Sequence, residues 1–125
     1  IGSPAMNFFK GSIKGGAFSS PEVQMDLKGY ETVEGKAPDT DAWLGIRPEH
    51  ILSGDNANGC SFVGEATIEI VDPMGSDTLV WASLAGQSIR VRTEGQSSLK
   101  VGDTLKIGFN ADKLSIFDTA TELRV

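Results

Sequence analysis

The sequence predicts an all-β barrel or sandwich, and three observations carry that prediction. Apolar and polar residues alternate with period two in several stretches, turn-forming clusters separate those stretches at spacings of about 8–12 residues, and no amphipathic helical run of about ten residues occurs. The 15 glycines among 125 residues exceed the ~7% share of an average chain and imply many tight turns. A chain of this length can bury one core of its own, so a single domain over residues 1–125 is expected.

The first strand is read at residues 7–14. The second covers residues 22–27, where Val23, Met25 and Leu27 alternate with Glu22, Gln24 and Asp26. Residues 29–42 lack periodicity and carry turn formers, so they read as a mobile surface loop before a strand at residues 43–47. Pro48 ends that strand because it has no N–H for a ladder, and it suits the first position of a short helical turn. Beyond the polar loop at 53–59 lies a long strand at 61–72, in which Ala66, Ile68 and Ile70 share one face while Thr67, Glu69 and Val71 share the other. It stops at Pro73-Met74-Gly75. Strands at 78–84 and 88–93 form a hairpin, and strands at 104–110 and 113–117 close the chain. Leu99 and Val101 are expected to face inward, with Gly102-Asp103 making the turn between them and the next strand. An OB-like barrel with long loops and little helix is the preferred form.

The formal net charge of −6 argues against nucleic acid and against an anionic membrane surface, since both depend on clustered Lys and Arg. Cys60 is the single cysteine, which precludes an internal disulfide and suits a reducing compartment. No stretch approaches the ~18 consecutive apolar residues of a membrane span, and Ile1-Gly2-Ser3-Pro4 lacks a signal core. The expectation is a soluble chain, not itself secreted, and a start without Met suggests a piece of a longer parent. No Gly-x-x-x-x-Gly-Lys-Ser/Thr loop is present to cradle phosphates; Gly11 to Gly16 has the wrong order. His50 is the lone histidine, so a histidine-dependent triad or a zinc site has little to draw on, and His50 reads as a packing residue. Asp72 and Asp77 flank a turn and read as backbone-capping groups, not an acid–base pair. Trp43 and Trp81 sit among apolar neighbours and read as core or interface packing. No enzyme activity is expected of this chain.

Several runs then resemble one family. Gly2-Ser3-Pro4-Ala5-Met6-Asn7-Phe8 resembles the junction at which, in ATPase subunits of maltose and glycerol-3-phosphate importers, the nucleotide-binding domain hands over to the carboxy-terminal domain. Leu44-Gly45-Ile46-Arg47-Pro48-Glu49-His50-Ile51 resembles the most recognisable motif of that carboxy-terminal domain, and Glu69-Ile70-Val71-Asp72-Pro73-Met74-Gly75-Ser76-Asp77-Thr78 resembles the next. Val101 to Phe109 and Leu114 to Asp118 are similar to its closing pair of strands. The departures are Asp72, where such proteins often carry glutamate, and the 29–41 loop, which matches no familiar pattern.

The resemblance implies a transport-associated OB-like (TOBE) regulatory domain from the ATP-binding subunit of a bacterial ABC importer for sugars or related solutes. Two copies would hold the two ATPase halves together and offer a docking surface to regulators. It implies no catalytic, cofactor or metal residue in this chain, ATP and magnesium being held by an ATPase domain outside it. The implied partners are a second copy of the chain, membrane permease subunits and a regulatory protein, without nucleic acid or direct membrane insertion. The implied location is cytoplasmic and peripheral, at the inner face of the cell membrane. By motif position, the interface residues would be Arg47, Glu49, His50, Asp72, Gly75, Ser76, Asp77 and Thr78. The alternative is a sensor of a small oxyanion such as molybdate, using Gly75-Ser76 and Ser97-Ser98.

Overall fold

The computed structural model describes residues 5–95 and 98–125. Gly2-Ser3-Pro4 of the junction motif and Ser97 of the oxyanion reading lie outside the described residues. The strands in chain order are β1 (Asn7–Lys14), β2 (Ala17–Ser19), β3 (Gln24–Asp26), β4 (Thr40–Ile46), β5 (Leu52–Ser53), β6 (Phe62–Pro73), β7 (Asp77–Leu84), β8 (Gln87–Glu94), β9 (Thr104–Phe109) and β10 (Ser115–Asp118). Helical structure among the described residues consists of three 3-10 turns, Pro48–His50, Gly54–Ala57 and Ala111–Lys113.

Two antiparallel sheets result. The first has the order β10-β4-β1-β2-β3 and the second β5-β9-β6-β7-β8. They curl around one shared core, to which Phe9, Ile13, Leu44 and Ile46 contribute from the first sheet and Ile68, Val80, Val91 and Phe109 from the second. This is the OB-like, all-β arrangement that the alternation predicts. In β7 the pattern is followed without exception: Thr78, Val80, Ala82 and Leu84 are buried, while Leu79, Trp81 and Ser83 are half-buried on the outer face. β9 presses close to the Gly54–Ala57 turn, where a Cβ on Gly108 would lie 2.8 Å from the carbonyl oxygen of Ala57 and 2.9 Å from that of Phe62. Glycine is required there by the approach of two backbones.

Five expectations need correction. The strand expected at 22–27 is limited to Gln24–Asp26, because the Ser20 hydroxyl accepts from the Val23 N–H at 3.0 Å and turns the chain there; Val23, Met25 and Leu27 are nevertheless all buried. The short β2 and β5 carry too few residues for a period to register. β4 begins at Thr40, inside the expected loop, because Thr40, Asp41 and Ala42 pair with Ile13, Ser12 and Gly11 of β1. Val101 faces solvent, at 67% exposure, since it heads the turn closed by the Asp103 N–H on the Lys100 carbonyl. Ile70 is also turned outward, at 53% exposure. A bulge lies between Ile68 and Ile70, so one extra residue resets the pleat and brings Val71 against the core.

The seam between the sheets is closed by Asn7, which is 6% exposed. Its Nδ2 donates to the Arg90 carbonyl at 2.8 Å and its Oδ1 accepts from the Arg90 N–H at 2.8 Å. An amide side chain thus satisfies both backbone groups on the free edge of β8. Nearby, Gln87 Nε2 donates to the Phe8 carbonyl at 2.6 Å. Asn7→Ala leaves a backbone donor and a backbone acceptor unpaired at the seam, and is expected to destabilise the chain by about 2–4 kcal/mol, measured as a shift in urea midpoint at unchanged slope.

Candidate interaction surface

The Leu44–Ile51 motif ends β4 and enters the 3-10 turn. Arg47 stands before that turn in extended geometry (φ −74, ψ 147), Pro48 opens it, and the His50 N–H closes it on the Arg47 carbonyl at 3.0 Å. Pro48 is buried, Arg47 and His50 are half-buried, and Glu49 is exposed. The Nδ1 atom of His50 is buried without a hydrogen-bond partner, which agrees with packing as its main contact.

The second motif is the β6–β7 hairpin. Its three-residue turn, Met74-Gly75-Ser76, is closed by the Met74 N–H on the Asp77 carbonyl at 2.7 Å, and Gly75 adopts φ +90, a conformation that favours glycine. The Gly95 N–H donates to the Ser76 carbonyl at 2.7 Å, and Thr78 Oγ1 donates to the Gly95 carbonyl at 2.9 Å. Asp77 faces Arg92 at 3.9 Å. Of the eight residues expected at an interface, Glu49, Asp72, Gly75 and Ser76 are exposed, while Arg47, His50 and Asp77 are half-buried. Thr78 is 1% exposed and its hydroxyl is used within the chain, so it presents no surface. Among the described residues no hydrogen bond or ion pair joins Arg47, Glu49 or His50 to the hairpin. The two motifs remain separate patches.

Both tryptophans face outward. Trp43 meets Phe8 edge-on with ring centroids 6.4 Å apart, Phe8 meets Phe117 at 6.4 Å, and the Lys10 ammonium lies 5.6 Å from the Trp43 ring. Trp81 lies between Ile70 of β6 and Arg90 of β8. Sequence reading had placed both tryptophans in packing without deciding between core and outer face; the strand register decides it.

The concavities lie elsewhere. One of about 190 Å³ is lined by Val33, Pro38, Asp118, Leu123 and Arg124, among others, and includes none of the eight motif residues. Asp118 organises its floor: Thr40 Oγ1 donates to Oδ2 at 2.6 Å, and the Ala120 and Thr121 N–H groups donate to Oδ1 at 2.9 and 3.0 Å. No group of three or more His, Cys, Asp or Glu among the described residues could hold a metal ion. Among the described residues no helix is long and apolar enough to cross a membrane.

Comparison with known proteins settles the family. The family model described as "TOBE domain" matches residues 44–117, and that described as "MalK OB fold domain" matches residues 2–51. The chain belongs to the TOBE domain family. It is similar to the oligosaccharides import ATP-binding protein MsmX of Bacillus subtilis, at 30% identity over 100% of this chain and 36% of that protein. It is similar also to the sulfoquinovosyl glycerol transport ATP-binding protein SmoE of Agrobacterium fabrum, at 33% identity over 98% of this chain and 34% of that protein. The chain therefore spans about a third of the length of the curated relatives it matches. Among solved structures, the cytoplasmic molybdate-binding protein ModG shares the fold, with TM-score 0.68 and 14% identity over 93% of this chain and 98% of that one.

Sequence reading did not find the Asp118 cluster, because its partner Thr40 lies 78 residues away. The Thr40 hydroxyl, then the Thr121 N–H, hold the Asp118 carboxyl below its ordinary 3.8. A group with a depressed folded value stabilises the fold above the unfolded value, and that contribution is lost as pH falls through 3.8 toward the folded value. Asp118→Asn is expected to flatten the acid side of the curve of thermal midpoint against pH while leaving its shape near neutrality unchanged.

Proposed function

We propose that this chain is the carboxy-terminal regulatory domain of the ATP-binding subunit of a bacterial ABC importer for sugars or related solutes. It associates with a second copy of itself, keeps two ATPase subunits together, and offers a surface to membrane permease subunits and regulators. The observation that carries this reading is the alignment of the chain, along nearly its whole length, with about one third of several import or transport ATP-binding proteins.

The physics of such a tether is simple. ATP-driven engines open and close at the nucleotide sites, and a fixed contact elsewhere keeps the separated halves at high effective concentration. The chain itself needs no catalytic group for this; ATP and magnesium belong to the remainder of the subunit, which works in the cytoplasm against the inner face of the membrane. The eight motif residues, less the buried Thr78, are the surfaces offered to partners. Oxyanion sensing has less support, since ModG shares the fold alone at 14% identity.

Sedimentation equilibrium of the chain from micromolar to millimolar concentration is expected to reveal reversible self-association; a strict monomer throughout would count against the tether. Saturating molybdate is expected to leave the thermal midpoint unchanged, whereas a concentration-dependent rise would favour the sensor.

A further inference from the structure

β10 is an edge strand of the first sheet, and the N–H and C=O groups of Ile116 and Asp118 are satisfied on the side away from β4. The Val125 N–H donates to the Ile116 carbonyl at 2.9 Å, the Asp118 N–H donates to the Leu123 carbonyl at 2.9 Å, and the Glu122 N–H donates to the Asp118 carbonyl at 2.8 Å. The Ile116 N–H donates instead to the Tyr30 hydroxyl at 3.1 Å, and that hydroxyl donates in turn to the Val125 carbonyl at 2.9 Å. Residues 123–125 thus lie along β10 as a short antiparallel strap, with Arg124 opposite Phe117, and the buried Tyr30 is its latch.

Little else holds the strap. Glu122, Leu123 and Arg124 are exposed, Leu123 at 69%, and only Val125 of the strap packs on the core. The cavity of about 190 Å³ lined by Leu123, Arg124, Val33 and Pro38 leaves the strap unpacked toward the 33–38 segment. At its root Glu122 has φ +61, one of two positive values at non-glycine residues among the described residues, a conformation strained for a residue with a Cβ. The turn before it is firmly built, by the Asp118 carboxylate on the Ala120 and Thr121 N–H groups and by the Thr119 N–H on the Asp41 carbonyl at 3.0 Å. The weak joint is therefore between Glu122 and Leu123.

We infer that residues 123–125 are a releasable strap, and that on its lifting the edge of β10 takes an extended peptide from a partner in its place. A strand edge with unmet N–H and C=O groups is a template for another strand, and strand addition is a general mode of peptide recognition. The strap defines the chemistry of its replacement. One residue must offer its N–H to the Ile116 carbonyl and its own carbonyl to the Tyr30 hydroxyl, with an aliphatic side chain in the place of Val125. The residue before it is favoured as a cation, because the Arg124 guanidinium lies 5.6 Å from the Tyr30 ring. The fitting partner is an extended segment in which a basic residue precedes an aliphatic one. This edge is separate from both motifs, and the tether reading does not depend on it.

The test is amide hydrogen exchange of the chain, read residue by residue by NMR, with a capped synthetic peptide copying residues 121–125 as the probe. Val125→Pro removes the donor to Ile116, and Tyr30→Phe removes the latch. Each is expected to lower the protection of the Asp118 amide by about tenfold or more, while the Val80 and Val91 amides of the second sheet keep theirs. Millimolar peptide is expected to restore the Asp118 protection of the Val125→Pro chain several-fold. Versions of the peptide with glutamate for its arginine, or aspartate for its valine, are expected to restore less. Asp118 protection unchanged in both variants overturns the latch. Equal losses at Val80 and Val91 overturn the strap as a separate unit, and an opened edge that the peptide does not protect overturns the docking site.

Discussion

One buried amide holds the two sheets in register. Asn7 presents to the edge of β8 what a neighbouring strand would present, one donor and one acceptor, and both bonds are 2.8 Å long. Because Asn7 also pairs with Ile46 of β4, the clamp determines where β1 begins, and the pleat then sends Phe9 and Ile13 into the core and Phe8 to the outside. The same pairing fixes the end of β4, and so the position from which Arg47-Pro48-Glu49-His50 departs. A single polar contact at the seam therefore sets both the hydrophobic packing and the placement of the first motif.

A second constraint is the bulge in β6. A strand of 12 residues crossing a curled sheet accumulates twist, and inserting one residue lets it bend without losing its partner. The effect reaches the surface: Ile70 leaves the core and comes to lie opposite Trp81 on the outer face, and Val71 takes up the inner position. Packing inside and chemistry outside are thus two outcomes of one backbone irregularity.

Much of the fold was legible in the sequence because alternation is a local signal wherever one face of a strand is buried. β6 to β9 were found near their true bounds for that reason, and so was the turn at Pro48, where the missing N–H leaves few options. The two- and three-residue strands β5 and β2 were not found, since no period shows in so few residues. Part of the expected 29–42 loop proved to be structural: Tyr30 is buried, donates to the Val125 carbonyl at 2.9 Å and accepts from the Ile116 N–H at 3.1 Å. Of the residues chosen by motif position, Glu49, Asp72, Gly75 and Ser76 are exposed, as polar and turn residues usually are. Thr78 is not, because its burial depends on the Gly95 carbonyl, 17 residues away.

The chain alone was enough to establish an all-β fold, the absence of a phosphate loop, and motifs that place it in the TOBE family. These are properties of composition, period two and short runs, all carried by near neighbours in sequence. The folded molecule decided the Asn7 clamp across 83 residues, the outward turn of Ile70, and the burial of Thr78. Those depend on which strands become neighbours and in what register, and pairings between distant segments are selected by the packing of the whole core.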